Sequence, residues 1–269
     1  MFPVLTIGPL ELSMWRVLVL DGVVLCWVLL LVRTRRLGYP TLPVLAFLVL
    51  ELGVGTVGGH LLNWIIPTLF GTEGASLRGM TVIGSMISVL VFGALFLERM
   101  VHARPLVFLD AAAFTLPLAM VAGRIGCLLN GCCFGKLAPA WAARWPFAAV
   151  TIHAAAFSPL SMASGSLKTV PGNPRLWNLP LFLAANSLCA LIAAEALYRR
   201  RERLALRPGT VLAVVVAVEV GGRFLVEFLR WDASVAGTAF NPWQLSLLAL
   251  FVAAVAFGYS TLRARQPQP

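Results

Sequence analysis

The sequence predicts an all-α integral membrane protein with about seven transmembrane helices, its N-terminus outside and its C-terminus in the cytoplasm. Three observations predict it. Of 269 residues, 59% are hydrophobic and 12% charged, where soluble domains carry about 25% charged residues. The apolar runs are near the ~20 residues that cross a bilayer as helix, too long for barrel strands. The arginine clusters fall on alternate connections between those runs, as topology rules require.

The first span, Ser13–Val32, is followed by Arg33, Arg35 and Arg36. The positive cluster comes after the apolar stretch and no small-residue cleavage pattern follows, so the run reads as a retained span and not a leader. The second span, Leu42–Phe70, carries Gly53, Gly55, Gly58 and Gly59 just before His60. Small residues so spaced predict close helix packing. His60 is read as a hydrogen-bonded structural histidine, with a general base as the sharper alternative. The third span is Met80–Leu97. The fourth, Pro105–Leu129, holds Asp110 near its start and Arg124 near its end. Fourteen residues of helix separate these two by about 21 Å, so they cannot pair, and Asp110 is expected to serve at a helix end or in packing. The remaining spans are Leu179–Tyr198, Pro208–Leu229 and Pro242–Leu262. The second and fourth are long enough to tilt or break. Asp21 and Glu51 are expected to face the bundle interior.

One side of the membrane receives Arg33, Arg35, Arg36, Arg99, Arg104, Arg199, Arg200, Arg201, Arg203, Arg207, Arg263 and Arg265. The other receives Arg78, Lys136, Arg144, Lys168 and Arg175, spread over many more residues. The first side is therefore cytoplasmic. A net charge of +10 would suggest nucleic acid in a soluble protein. Here topology and anionic membrane lipid account for it, and no nucleic-acid partner is expected. The chain reads as one polytopic domain, 1–269, with an outward-facing interfacial segment at about 130–178. Trp15, Trp64, Trp141, Trp145, Trp177 and Trp231 lie near the boundaries and read as interface anchors.

Two stretches carry chemistry. Residues 123–135 read G-R-I-G-C-L-L-N-G-C-C-F-G. An arginine within a span costs roughly 2.5 to 3.5 kcal/mol on insertion scales, so a chain that keeps Arg124 uses it. Gly123 and Gly126 would let a chain or headgroup approach, and Asn130 adds a polar group. The second stretch, E-V-G-G-R-F-L-V-E-F-L-R, spaces Glu219, Arg223, Glu227 and Arg230 by 4, 4 and 3 residues, which puts all four on one helical stripe. Either the stripe is an ion-pair ladder holding neighbouring helices, or it lines a polar cavity whose arginines bind an anionic headgroup. Guanidinium forks from two helices suit a phosphodiester.

The spacing of Cys127, Cys132 and Cys133 offers no second CxxC and no histidine at zinc distance, so no metal site is expected. No cofactor motif, Ser-His-Asp order, P-loop or HExxH is present.

These stretches resemble the prolipoprotein diacylglyceryl transferases of bacteria. The 123–135 segment looks like the family signature, and G-R-F-L-V-E-F-L-R at 222–230 is similar to its R-x-x-x-E-x-x-R stretch. Weaker likenesses occur in order at 7–15, 78–85 and 240–247. The resemblance implies a multi-pass enzyme of the bacterial cytoplasmic (inner) membrane with its active site on the outer side. Its partners would be phosphatidylglycerol and the lipobox of a prolipoprotein signal peptide. It implies catalytic roles for Arg124, Arg223 and Glu227, and substrate-binding roles for Gly123, Gly126, Asn130, Gly135, Arg230 and His60. The chain departs from the family pattern at Ile83, where His or Tyr is usual, and at Asn178–Ala184, where H-P-x-Q-x-Y-E is replaced by N-L-P-L-F-L-A. His60 and the outer-segment His153 are the remaining histidine candidates for a base. A catalytically impaired relative that binds anionic phospholipid or lipoprotein precursor is therefore a second expectation. A small transporter using the charged stripe is a third.

Overall fold

A computed structural model describes residues 4–7, 10–70, 80–151, 175–230 and 240–263. The helices are α1 (Met14–Arg36), α2 (Thr41–Leu69), α3 (Val82–Val101), α4 (Pro105–Ala112), α5 (Thr115–Asn130), the short α6 (Ala140–Ala143), α7 (Leu179–Arg200), α8 (Thr210–Glu227) and α9 (Pro242–Arg263). Two small antiparallel pairs accompany them: β1 (Val4–Ile7) with β2 (Leu10–Ser13), and β3 (Ala149–Thr151) with β4 (Arg175–Trp177).

Among the described residues, six helical stretches are long and apolar enough to cross a membrane. The sixth expected span, Pro208–Leu229, forms only the 18 residues of α8, and its Glu219, Arg223 and Glu227 make it more polar than the rest. The fourth span is broken. Its helix stops at Ala112 and restarts at Thr115. The carbonyls freed there find donors, as they must in a medium without water: Arg33 Nη1 donates to Ala111 O at 3.3 Å and Thr115 Oγ1 to Ala112 O at 2.7 Å.

Helix pairing follows residue size. α2 lies on α3 because Gly55, Gly58 and Gly59 face Gly84, Ser85 and Ser88; a Cβ on Gly84 would stand 2.6 Å from the Gly58 carbonyl oxygen. Gly53, expected in the same seam, faces nothing within 4 Å. α1 packs on α5, where a Cβ on Gly126 would come within 3.1 Å of Trp15 Cα. α5 also meets α7, and α8 lies between α7 and α9.

The arginine-rich end is held by specific contacts. Arg33 pairs with Glu195 at 2.5 Å and lies over the rings of Phe114 and Tyr198. Asp110 is buried and caps α8 across the bundle, Oδ2 accepting from Gly209 N at 2.7 Å and Oδ1 from Leu212 N at 2.8 Å. This is the helix-end role its position suggests, performed for another helix. Asp21 departs from expectation, since it is exposed on α1. Glu51 is half-buried and lines a cavity of about 320 Å³. Trp177 also departs: it is buried, edge-on to Trp141 at 5.6 Å, and is no interface anchor. Trp231, Arg78, His153 and Lys168 lie outside the described residues.

At the opposite end, the irregular segment that follows α5 is stitched to two other elements. Gly135 N donates to Trp177 O at 2.9 Å, Trp177 N to Lys136 O at 3.1 Å, and Lys136 N to Leu229 O at 2.8 Å. These bonds tie the end of α5 to the end of α8.

Candidate functional site

The charged stripe is not a continuous ladder. Glu219 turns toward α7, where Ser187 Oγ donates to its Oε2 at 3.0 Å and Asn186 Nδ2 reaches the same oxygen at 3.5 Å. Gly222 makes room for this, because a Cβ there would collide with the Asn186 amide. Glu227 pairs with Arg230 at 2.9 Å. The helix ends at Glu227, so Arg230 comes from the turn that follows and not from the helix itself. Between these pairs stands Arg223. Its Nε and Nη1 are buried and, among the described residues, take no hydrogen-bond partner.

Arg124, buried six residues before the end of α5, shares the electrostatic neighbourhood of Arg223 and Glu219. Two guanidinium groups thus repel one another in a poorly solvated space, with Glu219 and Glu227 as partial compensation. Buried charge without a full set of partners is costly. An anion bearing several oxygens would both separate the two cations electrostatically and satisfy the orphaned nitrogens. The stripe thus divides between a hydrogen bond to α7, an ion pair with Arg230 and the unpartnered nitrogens of Arg223.

A cavity of about 30 Å³ lies beside Arg223, lined also by Glu219, Ile83, Met86, Met120 and Leu247. Ile83 is 2% exposed and presents a hydrocarbon side chain to this cavity, beside Glu219 and Arg223.

The other expected residues divide. Asn130 ends α5, and its side chain hydrogen-bonds to the Cys132 thiol. Gly123 meets only Val19, at ordinary contact distance. Gly126 and Gly135 are close-packed against the protein's own chain: Gly126 on Trp15, and Gly135 with its hypothetical Cβ 2.5 Å from Leu229 O and 3.0 Å from Leu179 and Trp177. The approach these two glycines permit is that of protein to protein. His60 is half-buried on α2, whose main partner is α3 and not α5 or α8. In the departing segment, Asn178 is buried, its side chain accepts from Leu181 N to cap α7, and Leu179 packs on Gly135.

Two features escaped sequence reasoning. Asn186 and Ser187 are polar residues in an apolar run, and that contrast was the available signal. The second is convergence of three cysteines. The Sγ atoms of Cys127, Cys132 and Cys133 all lie within 4.8 Å of one another. The thiol of Cys133 is pushed well below the usual range by side-chain hydrogen bonds with Cys127 and Cys132, and the Arg124 and Arg230 charges add to this.

Comparison with known proteins places these residues in context. Residues 3–259 match the family described as prolipoprotein diacylglyceryl transferase. The chain is 28% identical over 259 residues to the phosphatidylglycerol–prolipoprotein diacylglyceryl transferase of Paenarthrobacter aurescens, covering 93% of this chain and 79% of that one. It is 30% identical over 138 residues to the protein of the same name from Dehalococcoides mccartyi, covering 49% of this chain and 52% of that one. With the Campylobacter jejuni protein of that name it shares 42% identity over 65 residues, 24% of each chain.

Proposed function

The chain belongs to the prolipoprotein diacylglyceryl transferase family, and on that premise we propose that it transfers the diacylglyceryl group of phosphatidylglycerol to the lipobox cysteine of a secreted prolipoprotein. Its apolar helices and its family make it a multi-pass protein of the bacterial inner membrane. The observation that carries the proposal is the pair of orphaned nitrogens on Arg223 beside buried Arg124.

In this reading, the sulfur of the lipobox thiol attacks a glycerol carbon of the lipid. A carbon–sulfur bond forms, the carbon–oxygen bond to phosphate breaks, and glycerol phosphate leaves with the electron pair. Charge grows on the departing phosphate. Arg124 and Arg223, already fixed and largely dry, stabilise that charge without having to reorganise. Glu227 holds Arg230 at the mouth of the site through their 2.9 Å pair, and Asn130 supplies a further polar group. The thiol, with an ordinary pKa of about 8.5, ionises more readily in the field of three arginines.

The site faces the outer side of the membrane. The arginine-rich end of the bundle, with Arg33, Arg35, Arg36, Arg199 and Arg200, is the cytoplasmic end by the positive-inside rule, and Arg124 lies toward the other end of its span. That is where a translocated signal peptide presents its lipobox.

Ile83 favours a second reading, in which the chain binds phosphatidylglycerol without turning it over. Its alkyl side chain lines the cavity beside Arg223 and Glu219 and offers no group that could take a proton.

Purified protein incubated with phosphatidylglycerol and a lipobox peptide distinguishes the two. A diacylglyceryl mass shift on the peptide that disappears in Arg124→Ala and Arg223→Ala supports transfer. Saturable lipid binding with no shift supports the second reading.

A further inference from the structure

The sequence spacing of Cys127, Cys132 and Cys133 gave no reason to expect a metal, but folding brings the three together by an identifiable device. α5 ends in a Schellman motif. Gly131 adopts the left-handed conformation, φ 72°, its N–H donates to Leu128 O at 3.3 Å, and Cys132 N donates to Cys127 O at 3.1 Å. That pattern folds the residue after the glycine back onto the last helical turn, so Cys132 returns to Cys127. Cys133 also has a positive φ, 65°, which continues the reversal, and its Sγ lies 3.7 Å from that of Cys132.

We propose that Cys127, Cys132 and Cys133 form a three-sulfur binding site for a soft, thiophilic d10 cation, such as monovalent copper or cadmium. The distances suit it. Three sulfurs about 2.3 Å from one centre stand roughly 3.8 to 4.0 Å apart, and here all three pairs are within 4.8 Å, one of them at 3.7 Å. A contraction of less than about 1 Å closes the site, and two of the three residues lie in a short turn and not in a helix. Thiolates select soft cations over magnesium or calcium.

Charge also suits it. Three thiolates around a monovalent or divalent cation leave a net negative complex, and Arg124 and Arg230 both act on Cys133. The arginines that would repel a bare cation therefore stabilise the anionic complex. Access is built in, because Cys127 is buried, Cys132 half-buried and Cys133 exposed, giving the cation a way in from one side. Cys26 and Cys189, on α1 and α7, lie outside the cluster. The proposal does not depend on the transfer reaction.

The test is a titration of the reduced, detergent-solubilised full chain with cadmium ion, following the ultraviolet sulfur-to-cadmium absorption and the bound metal. One cadmium per chain is expected. Binding should weaken at least tenfold in Cys132→Ser and in Cys133→Ser, stay unchanged in Cys189→Ser, and recover in part in Cys133→His, where an imidazole replaces the exposed thiol. Melting curves without metal establish that the variants are folded. No sulfur-to-cadmium band at one equivalent, or equal affinity in Cys133→Ser, would overturn the proposal.

Discussion

Ile83 on α3 and Arg223 on α8 line one cavity of about 30 Å³. Chemistry and hydrocarbon meet there: Arg223 brings two unpartnered buried nitrogens, and Ile83 brings no group able to take a proton. If proton removal from the incoming thiol limits the reaction, Ile83→His should speed transfer. General-base catalysis contributes typically 10²- to 10⁴-fold, so a partly aligned imidazole should raise kcat by about tenfold or more, with little change in the concentration of phosphatidylglycerol needed for half-saturation. Steady-state transfer to a lipobox peptide measures both.

The α2–α3 seam depends on the absence of side chains. A Cβ on Gly84 would stand 2.6 Å from a backbone oxygen of Gly58 and 2.8 Å from Leu62 Cβ. Gly84→Val should separate the helices and cost at least about 1 to 3 kcal/mol, the usual penalty for overpacking. Thermal unfolding in detergent would report it. Gly53→Val, on the partner helix α2 but facing open space, should leave the midpoint nearly unchanged.

Asp110 accepts from two backbone N–H groups at the start of α8, one with each carboxylate oxygen. In Asp110→Asn only one oxygen remains to accept. Leaving a buried donor unsatisfied costs about 1 to 3 kcal/mol. The expected outcome is a lower melting temperature and faster amide exchange at Gly209 and Leu212.

At Cys133 the thiol is held below its usual range, so the thiolate persists as pH falls through values where an ordinary thiol becomes protonated. Alkylation at Cys133 by a small iodoacetamide should therefore fall little between pH 8.5 and pH 7, where a free thiol of pKa about 8.5 loses most of its reactivity. Arg230→Gln should move the reactivity profile toward higher pH. Peptide mapping after timed alkylation reads the rate at that one residue.

Much of the architecture was legible in the amino-acid order, since long apolar runs have few alternatives in a bilayer. The places of the spans, the seam at Gly55, Gly58 and Gly59 and the helix-end role of Asp110 follow from apolar run length, residue size and position, while helix edges such as those of α1 and α3 run about four residues past the expected Val32 and Leu97. The length of the fourth span allowed a break, but not its position at 113–114, because one of the donors that satisfy the freed carbonyls, Arg33 on α1, comes from distant sequence. In the candidate site, the positions of the charged residues along their helix were legible in the sequence and their contacts were not. Spacing put Glu219, Arg223, Glu227 and Arg230 on one stripe, yet the stripe splits, Glu219 to Ser187 and Glu227 to Arg230. Only the neighbouring helix could reveal that. At Gly126 the sequence leaves open whether a chain or a headgroup comes close, and Gly135 takes its substrate-binding role from the resemblance alone; both pack on the protein's own chain, because a glycine's sequence signal is the same whether lipid or protein approaches. Cys127, Cys132 and Cys133 are close in the sequence, but the convergence of their sulfurs was not legible, because it resides in the geometry of a helix C-terminus and not in a metal-ligand spacing.

Arg223 carries the central claim, that two arginines hold the phosphate as it leaves. The most direct measurement compares wild type with Arg223→Ala and Arg223→Lys in diacylglyceryl transfer from phosphatidylglycerol to a lipobox peptide, with folding checked by thermal unfolding. Loss of at least about 10²-fold in rate in Arg223→Ala, the scale for removing one donor to developing charge, and little rescue by a lysine that lacks the planar fork, is the predicted result. Transfer by Arg223→Ala at the wild-type rate would contradict the account.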